Sequence, residues 1–431
     1  MPIFRKHVFN MKELYQPPKG TKDYYPKDMK RLQKVIEVIR QTFEKYGFQA
    51  LDTPAFENFD LLAAKGGLGE AVKDEIYYFK DKSGRPLGLR FDLTMPLARF
   101  IINNPELPKP FRRYQIGKVW RYDNPQALRF REFWQADIDI IGSSSMLADA
   151  ECVACFVECL LKLGFKEISI RINNRKLLES LLVSNNVQKD KINSVFKIID
   201  KSSKISWEEI KAELDKLKVD SKKILNAIKT PIKIERIEEI VGIGEGTNEL
   251  KELFRYAKIF GIDKYLKIDL SVVRGLDYYT GPVFEIQIGK NNVSCGGGGR
   301  YDNLTYMIGG PELPATGFSL GIDRIIGAMD ELEMSQEDTE KRFFVAYLEN
   351  VKEDALKICR DLRLKGFICE TDLMDRKLNK QLEYANSLDY PFVIIVGKEE
   401  LRKEMIRLRD MKTGKEKLIA LRNAAEELKR I

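Results

Sequence analysis

The chain has 431 residues, of which 44% are hydrophobic and 32% are charged, a balance typical of globular proteins and not of disordered ones. This length is enough for about two or three domains with sizeable cores. No run of about 18 apolar residues occurs, so we expect no membrane span, and the N-terminus lacks the apolar segment of a secretory signal. The net charge of +8 weakly favours a polyanionic partner such as nucleic acid.

The six cysteines and the single histidine restrict the chemistry. Cys152, Cys155 and Cys159 follow helical spacing, and no second pair at metal-binding spacing follows them. They therefore indicate a buried helix face, and we expect no zinc. Reduced thiols of this kind are typical of the cytoplasm. Because the lone histidine, His7, lies near the N-terminus, we expect any reaction here to proceed without a histidine general base.

The first part of the chain is predicted to mix helices and strands. Apolar side chains between Leu32 and Ile39 follow helical spacing, and the stretch after them is extended because Pro54 cannot lie inside a helix. The next segment, EIYYFKDKSGRPLGLRF, predicts a β-hairpin that turns near Ser83-Gly84.

Two strands, GKVWRYD and FWQADIDIIG, then flank a loop, and a long helix is predicted from about Ser145 to Leu163. Gln135, Asp137 and Asp139 alternate at a period of two, so they share one face of the sheet. We expect Arg121 on the first strand. A face that carries arginine and acids suits a ligand with a phosphate at one end and an amine at the other. A ladder of cross-strand ion pairs on an exposed face explains the same residues equally well.

The pattern of residue types changes again along the rest of the chain. No glycine occurs between Gly164 and Gly242, and helical spacing of apolar residues predicts a helical insertion with a basic surface. SVVRGLDYYTGPVFEI predicts a strand that ends at Val273 and another that begins at Val283, with a polar cluster between them. The final 90 or so residues alternate buried strands with helices, which predicts a small α/β domain with a mixed sheet.

Three stretches, in this order, resemble the three motifs of the class II aminoacyl-tRNA synthetases. GFQALDTPAFE is similar to motif 1, whose proline marks the dimer interface. WRYDNPQALRFREFWQADIDIIG is similar to motif 2, two antiparallel strands and a loop that opens with an arginine. GFSLGIDRI is similar to motif 3, a strand–helix unit that ends in an ATP-binding arginine.

Within that class, VRGLDYYTGPVFE closely resembles a signature of the histidyl-tRNA synthetase family. PPKGTKDYYP, LRFDLTMPLAR and CGGGGRYDNL resemble further signatures of that family. The resemblance implies an α+β fold, with a class II antiparallel sheet flanked by helices, a helical insertion and a C-terminal α/β anticodon-binding domain. The implied ranges are a catalytic domain at 1–173 and 261–332, the insertion at 174–260, a linker at 333–341 and the anticodon-binding domain at 342–431.

The resemblance implies the activity as well. A family member would activate L-histidine with ATP, accompanied by Mg²⁺, release pyrophosphate, and transfer histidine to the 3′ end of tRNA(His). It would act as a homodimer in the cytoplasm. Two alternatives remain open: a catalytically inert regulatory subunit that partners ATP phosphoribosyltransferase in histidine biosynthesis, and an RNA-binding accessory protein with an inactive synthetase core. The intact arginines and the C-terminal segment favour the ligase over both.

The family's site residues carry over to matching positions of this chain. Arg274 would be the catalytic arginine, and Arg121 would hold the α-phosphate of ATP and the substrate carboxylate. Arg129 and Arg324 would bind the triphosphate. Asp123 stands where many members have glutamate, so the ATP or RNA group that it meets is open. The other implied histidine-binding residues are Asp92, Leu93, Thr94, Gln135, Asp139, Tyr278 and Tyr279, with Asp92 and Thr94 at the amino group and Asp139 towards the imidazole.

Overall fold

A computed structural model of the protein describes residues 15–64, 74–125, 128–203, 205–229, 232–273, 278–334, 341–348 and 350–431. His7, Arg274 and most of the predicted linker lie outside these described residues. The chain divides into two compact units, Met1–Ser335 and Gln336–Ile431.

The first unit contains a large sheet, a small sheet and helices around them. Its strands are β1 (Gln49–Ala50), β2 (Phe56–Asn58), β3 (Tyr78–Lys80), β4 (Pro86–Leu89), β5 (Phe111–Trp120), β6 (Glu132–Ile141), β7 (Ile168–Asn174), β8 (Leu266–Ile268), β9 (Pro282–Ile288), β10 (Val293–Arg300) and β11 (Ala315–Gly321). Its helices are α1 (Pro26–Lys45), α2 (Phe59–Ala64), α3 (Thr94–Asn103), α4 (Met146–Lys162), α5 (Arg175–Ser184), α6 (Lys189–Asp200), α7 (Trp207–Lys216), α8 (Ser221–Lys229), α9 (Ile237–Val241), α10 (Glu245–Ile259), α11 (Leu304–Met307) and α12 (Ile322–Glu331).

The large sheet has the strand order β1-β5-β6-β11-β10-β9-β7-β8. Neighbouring strands from β5 to β7 pair antiparallel, whereas β1 and β8 pair in parallel at the two edges. The predicted class II sheet flanked by helices is therefore confirmed. The hairpin predicted near Ser83-Gly84 is confirmed as the antiparallel pair of β3 and β4, which joins β2 in a separate three-stranded sheet.

Alternation along β5 and β6 gives the large sheet two different faces. Tyr114, Ala136, Ile138 and Ile140 are buried in the main core, which also receives helices α1 and α4. Arg113, Gln115, Gln135, Asp137 and Asp139 have the opposite parity and make the middle of the other face polar. Helix α4 begins where predicted, because the Ser145 side chain accepts a hydrogen bond from the Leu147 amide at 3.2 Å and caps the helix. The three cysteines of α4 are all buried in this core, which confirms the helix-face prediction.

Two local predictions need correction. Val272 and Val273 are buried, but β8 ends at Ile268 and they follow a turn, so they are not the end of a strand. Arg121 lies one residue after β5, although its amide still donates to the Arg131 carbonyl oxygen at 2.9 Å. The described chain between β7 and β8 is helical, as expected; that 174–260 forms a domain of its own stays a prediction.

The second unit contains the strands β12 (Arg342–Tyr347), β13 (Ile368–Thr371), β14 (Phe392–Val396), β15 (Met405–Asp410) and β16 (Glu416–Ala420). They form a mixed sheet in the order β13-β12-β14-β15-β16. Strand β12 pairs in parallel with β13 and β14, and β15 and β16 form an antiparallel hairpin. The helices of this unit are α13 (Lys352–Leu364), α14 (Leu378–Ser387), α15 (Lys398–Arg402) and α16 (Ala424–Arg430). The predicted small α/β fold is confirmed.

Candidate active site

The polar face of the large sheet carries acidic side chains on β6 and, next to them, glycines on β11 and β10. We call this surface the floor of the site. Strand register places Gln135, Asp137 and Asp139 of β6 opposite Gly321, Ser319 and Gly317 of β11. On the next strand, Gly297 and Gly299 lie opposite Ser319 and Gly317. The glycines leave space above the sheet where side chains would otherwise stand. A Cβ atom at Gly299 would lie 2.9 Å from the Tyr279 ring, so this ring rests directly on the bare backbone.

A cleft of about 460 Å³ opens above this floor. It is large enough for a nucleotide or a comparable small molecule. Seven of the predicted site residues line it together: Arg121, Asp123, Arg129, Gln135, Tyr278, Tyr279 and Arg324. Other lining residues were not predicted, among them Asp200, Glu285, Ser294 and Ser319.

Three arginines reach the cleft, two from the connection between β5 and β6 and one from α12. Arg121 is held by a hydrogen bond from its Nε to the Phe91 carbonyl oxygen at 2.9 Å, and its guanidinium lies 5.2 Å from the centre of the Phe133 ring. Arg324, in the first turn of α12, donates from Nη1 to the Ser294 carbonyl oxygen at 2.6 Å. Arg129 pairs with Asp123 at 2.8 Å. Such fixed positive charges suit a ligand that carries phosphate groups.

Residues 92–94, the DLT segment of the stretch LRFDLTMPLAR, contact the polar face of the sheet through a buried arginine. The Asp92 carboxylate accepts hydrogen bonds from the Thr94 and Met95 amides at 3.2 and 3.0 Å, and so covers the first turn of α3. The Leu93 carbonyl oxygen accepts from Nη2 of Arg113 at 3.1 Å. Asp92, Leu93, Thr94 and Asp139 do not line the cleft directly, but Asp92 lies near Tyr278, which does.

Arg113 also binds the acid predicted to face the imidazole. Its Nη2 lies 2.6 Å from Asp139 Oδ2, and both side chains are buried. The Tyr301 hydroxyl donates to the other oxygen of Asp139. Burial and the neighbouring Asp139 carboxylate raise the pKa of Tyr301 well above its usual value, so the phenol stays a donor. The cross-strand ion pair considered as an alternative for this face is therefore present, but on a buried face and not an exposed one.

Asp137 has a different environment from Asp139. Burial raises the pKa of its carboxyl to about 7, and the nearby Arg113 guanidinium opposes that rise. Asp139 and Asp92 add to the rise, and the Ser319 hydroxyl donates to the carboxylate and lowers the pKa. This floor therefore holds several acids around one fully buried arginine.

The structure brings seven of the predicted residues together around the cleft, whereas all the individual roles stay predictions. The catalytic role of Arg274 falls outside the described residues. Sequence reasoning missed Arg113, Tyr301, Glu285 and Ser319 as parts of the site. One signal was available for Arg113, since Arg113 and Gln115 alternate along β5 as Asp137 and Asp139 do along β6. No local signal marks Asp200, which comes from the end of α6.

The described residues contain no group of three or more His, Cys, Asp or Glu side chains placed to hold a metal ion. Among them there is also no helix with the length and apolar character required for crossing a bilayer.

Comparison with known proteins identifies the family. A histidyl-tRNA synthetase family model matches residues 20–325, and an anticodon-binding domain model matches residues 342–431. The chain is 37% identical to histidine–tRNA ligase from Methanocaldococcus jannaschii and 36% identical to that from Thermococcus kodakarensis. Each alignment covers 95% of this chain, with 98% and 97% of those relatives respectively.

A solved structure gives the same result for the fold. Histidyl-tRNA synthetase from Nostoc sp. superposes with a TM-score of 0.84 at 30% identity, over 96% of this chain and 99% of that one. Since the family model covers most of the chain and the relatives align almost end to end, the chain belongs to the histidyl-tRNA synthetase family.

Proposed function

We propose that the protein is a histidine–tRNA ligase. It activates L-histidine with ATP to histidyl-adenylate, releases pyrophosphate, and transfers histidine to the 3′ end of tRNA(His). The observation that carries the proposal is the cleft itself, where Arg121, Arg129 and Arg324 surround a floor of glycine backbone and buried acceptors.

Activation brings two anions together. The histidine carboxylate attacks the α-phosphorus of ATP, the bond to the bridging oxygen breaks, and pyrophosphate leaves. Negative charge accumulates on the phosphoryl oxygens in the transition state, and arginines held in place neutralise it without reorganising. Arg121 and Arg274 take this role, while Arg129 and Arg324 hold the triphosphate. No side-chain base is needed, because the attacking carboxylate is already ionised at neutral pH.

The other end of the substrate carries hydrogen-bond donors. Its ammonium group has three donors, and its imidazole has at least one. Asp92 and Thr94 bind the ammonium group, Gln135 contacts the amino acid, Asp139 faces the imidazole, and Tyr278 and Tyr279 close the pocket. In support, Oε1 of Gln135 is buried with no hydrogen-bond partner among the described residues, as expected of an acceptor kept for a ligand.

The remaining partners follow from the reaction. Mg²⁺ enters with ATP, coordinated chiefly by the phosphates, and no zinc is required. The tRNA is bound in part by the second unit, which matches the anticodon-binding model. We place the enzyme in the cytoplasm, where buried free thiols such as those of this chain persist.

Histidine-dependent ATP–pyrophosphate exchange is the decisive test. We expect exchange with histidine and with no other amino acid, and a loss of about 100-fold or more when Arg274 is replaced by alanine. Arg85→Ala is the matched control, because Arg85 lies in the β3–β4 turn with its side chain 74% exposed. A folded wild type that binds histidine but shows no exchange would refute the ligase and favour the regulatory-subunit alternative.

The homodimer is proposed with a surface for its interface. Phe56, Tyr78 and Phe79 of the three-stranded sheet are 51%, 50% and 37% exposed, and the Phe56 and Phe79 rings pack 6.1 Å apart. Exposed aromatic side chains grouped in this way are typical of a surface that a partner covers. Phe56 lies within the stretch that resembles motif 1, and Tyr78 and Phe79 belong to the same three-stranded sheet, so a second copy of the chain is the proposed occupant.

Replacing both Phe56 and Phe79 by lysine is expected to weaken the dimer, because the interface would bury two unpaired charges in place of two rings. Sedimentation velocity should show the wild type at twice the chain mass and the variant shifted towards the monomer. Leu364→Lys changes another exposed apolar side chain, in the second unit, and should leave the dimer intact. An unchanged dimer in the double variant would place the interface elsewhere.

A further inference from the structure

Two acids of β6 face the same floor but differ in what they bind. One carboxylate oxygen of Asp139 accepts a hydrogen bond from the Tyr301 hydroxyl, and the other forms an ion pair with the Arg113 guanidinium. Asp137 is also buried, with 4% of its surface exposed, yet its Oδ1 has no hydrogen-bond partner among the described residues. A buried carboxylate oxygen without a donor costs free energy, and native proteins seldom keep one without a reason.

The neighbours of Asp137 connect it to the cleft. The Ser319 hydroxyl that donates to its carboxylate lines the cleft, and the same Ser319 oxygen accepts a hydrogen bond from the Gln135 amide. Tyr278, another lining residue, lies close enough for the Asp137 charge to act on its phenol. Asp137 does not itself line the cleft, but it lies on the same sheet face as Gln135, and its neighbours Ser319 and Tyr278 line the cleft.

We propose that Asp137 is a further histidine-binding residue, whose free carboxylate oxygen accepts a hydrogen bond from an imidazole N–H of the bound amino acid. The proposal rests on the proposed function and names the group that selects the side chain. The bound imidazole supplies the missing donor. An amino acid without a ring N–H at that position leaves the oxygen unpaired, and a site built around a substrate N–H rejects such a competitor strongly.

The electrostatics around Asp137 agree with this role. Arg113, Asp139, Asp92 and Tyr278 face Asp137, and burial raises the pKa of its carboxyl to about 7. In an unfolded chain the pKa of an aspartate carboxyl is about 4. Ionising Asp137 therefore costs more free energy in the folded protein than in the unfolded chain. Asp137 therefore destabilises the protein at neutral and higher pH when histidine is not bound. Such a cost in stability is expected of a group whose role is to bind a ligand.

The test compares Asp137→Asn with the wild type in ATP–pyrophosphate exchange. Asparagine has the same shape and can still accept from Ser319, but it places an amide donor or a neutral oxygen towards the ligand. We expect the KM for histidine to rise about 10- to 100-fold, with the KM for ATP within about twofold. Inhibition by the two ring-N-methylhistidines should distinguish the nitrogen, because the variant should lose the discrimination against one of them.

Thermal unfolding without ligand gives a second readout. The Asn variant should unfold at a higher temperature than the wild type above pH 7, and the difference should vanish as the pH falls towards about 4. Asp137→Ser, which keeps a small polar group beside Ser319, replaces the Asn variant if the latter does not fold.

A fall in kcat with the histidine KM unchanged would overturn the proposal, and so would methylhistidine discrimination equal to that of the wild type. A wild type without any exchange would instead refute the ligase, so the two failures are distinguishable.

Discussion

Replacing Arg121 by alanine is expected to lower kcat/KM for histidine-dependent ATP–pyrophosphate exchange by about 100- to 1,000-fold. Arg121 lines the cleft and is held from two sides, by the Phe91 carbonyl oxygen and by the face of the Phe133 ring. Its remaining N–H groups are therefore oriented before ATP binds. A charge that is already in place stabilises the transition state more than the substrate, so we expect most of the loss in kcat.

Steady-state kinetics over ATP and histidine concentrations test this expectation. Arg121→Lys keeps the charge but loses the planar group that packs on Phe133, so it should recover only part of the activity. Arg129→Ala should cost less, because the Arg129 side chain is 42% exposed and already paired with Asp123. A variant whose KM for ATP rises while kcat is unchanged would show that Arg121 binds ground state and transition state equally.

Much of the fold was predictable because local patterns determine it. Helical spacing from Leu32 to Ile39, the β3–β4 turn and the Ser145 cap each depend on residues close together in the chain. Val272 and Val273 show where this reasoning fails. A buried pair of β-branched residues fits a strand or a packed turn equally well, and only the pairing partners decide between them.

The candidate site was predictable in its members but not in its internal contacts. Similarity to family motifs identified Asp139 and the DLT segment by residue type. It could not show that Arg113 joins them, because the contact of Arg113 with Leu93 spans 20 residues and depends on how α3 meets the sheet. The difference between Asp137 and Asp139 likewise follows from the register of β6 with β5 and β11, which places Arg113 beside one acid and Ser319 beside the other.

A second arginine, Arg300, is expected to contribute to stability far more than to activity. Arg300 ends β10 within the stretch CGGGGRYDNL, and its side chain is 2% exposed. Its guanidinium pairs with Asp149, in the first turn of α4, and donates to the Ser143 and Ser145 carbonyl oxygens at 2.9 and 3.1 Å. Asp149 also accepts from the Thr316 hydroxyl of β11 at 2.8 Å. One buried ion pair thus joins the start of α4 to two strands of the sheet.

Replacing Arg300 by methionine is expected to reduce the free energy of unfolding by about 3–5 kcal/mol. The change leaves Asp149 fully buried without its cation, and burial already raises the pKa of that carboxyl while Arg300 opposes the rise. Urea denaturation should show a lower midpoint at an unchanged slope. Folded Arg300→Met protein should keep a far larger share of its kcat than Arg121→Ala, because Arg300 binds protein groups and does not line the cleft.

The double variant Arg300→Met, Asp149→Leu separates the worth of the ion pair from the cost of an unpaired charge. Removing both charges leaves no buried ion without a partner, so the double variant should be more stable than Arg300→Met alone. A double variant that is no more stable than the single one would mean that Arg300 acts chiefly through Ser143 and Ser145. The loss of stability would then come from the carbonyl oxygens of Ser143 and Ser145, which would lack a donor whether or not Asp149 is present.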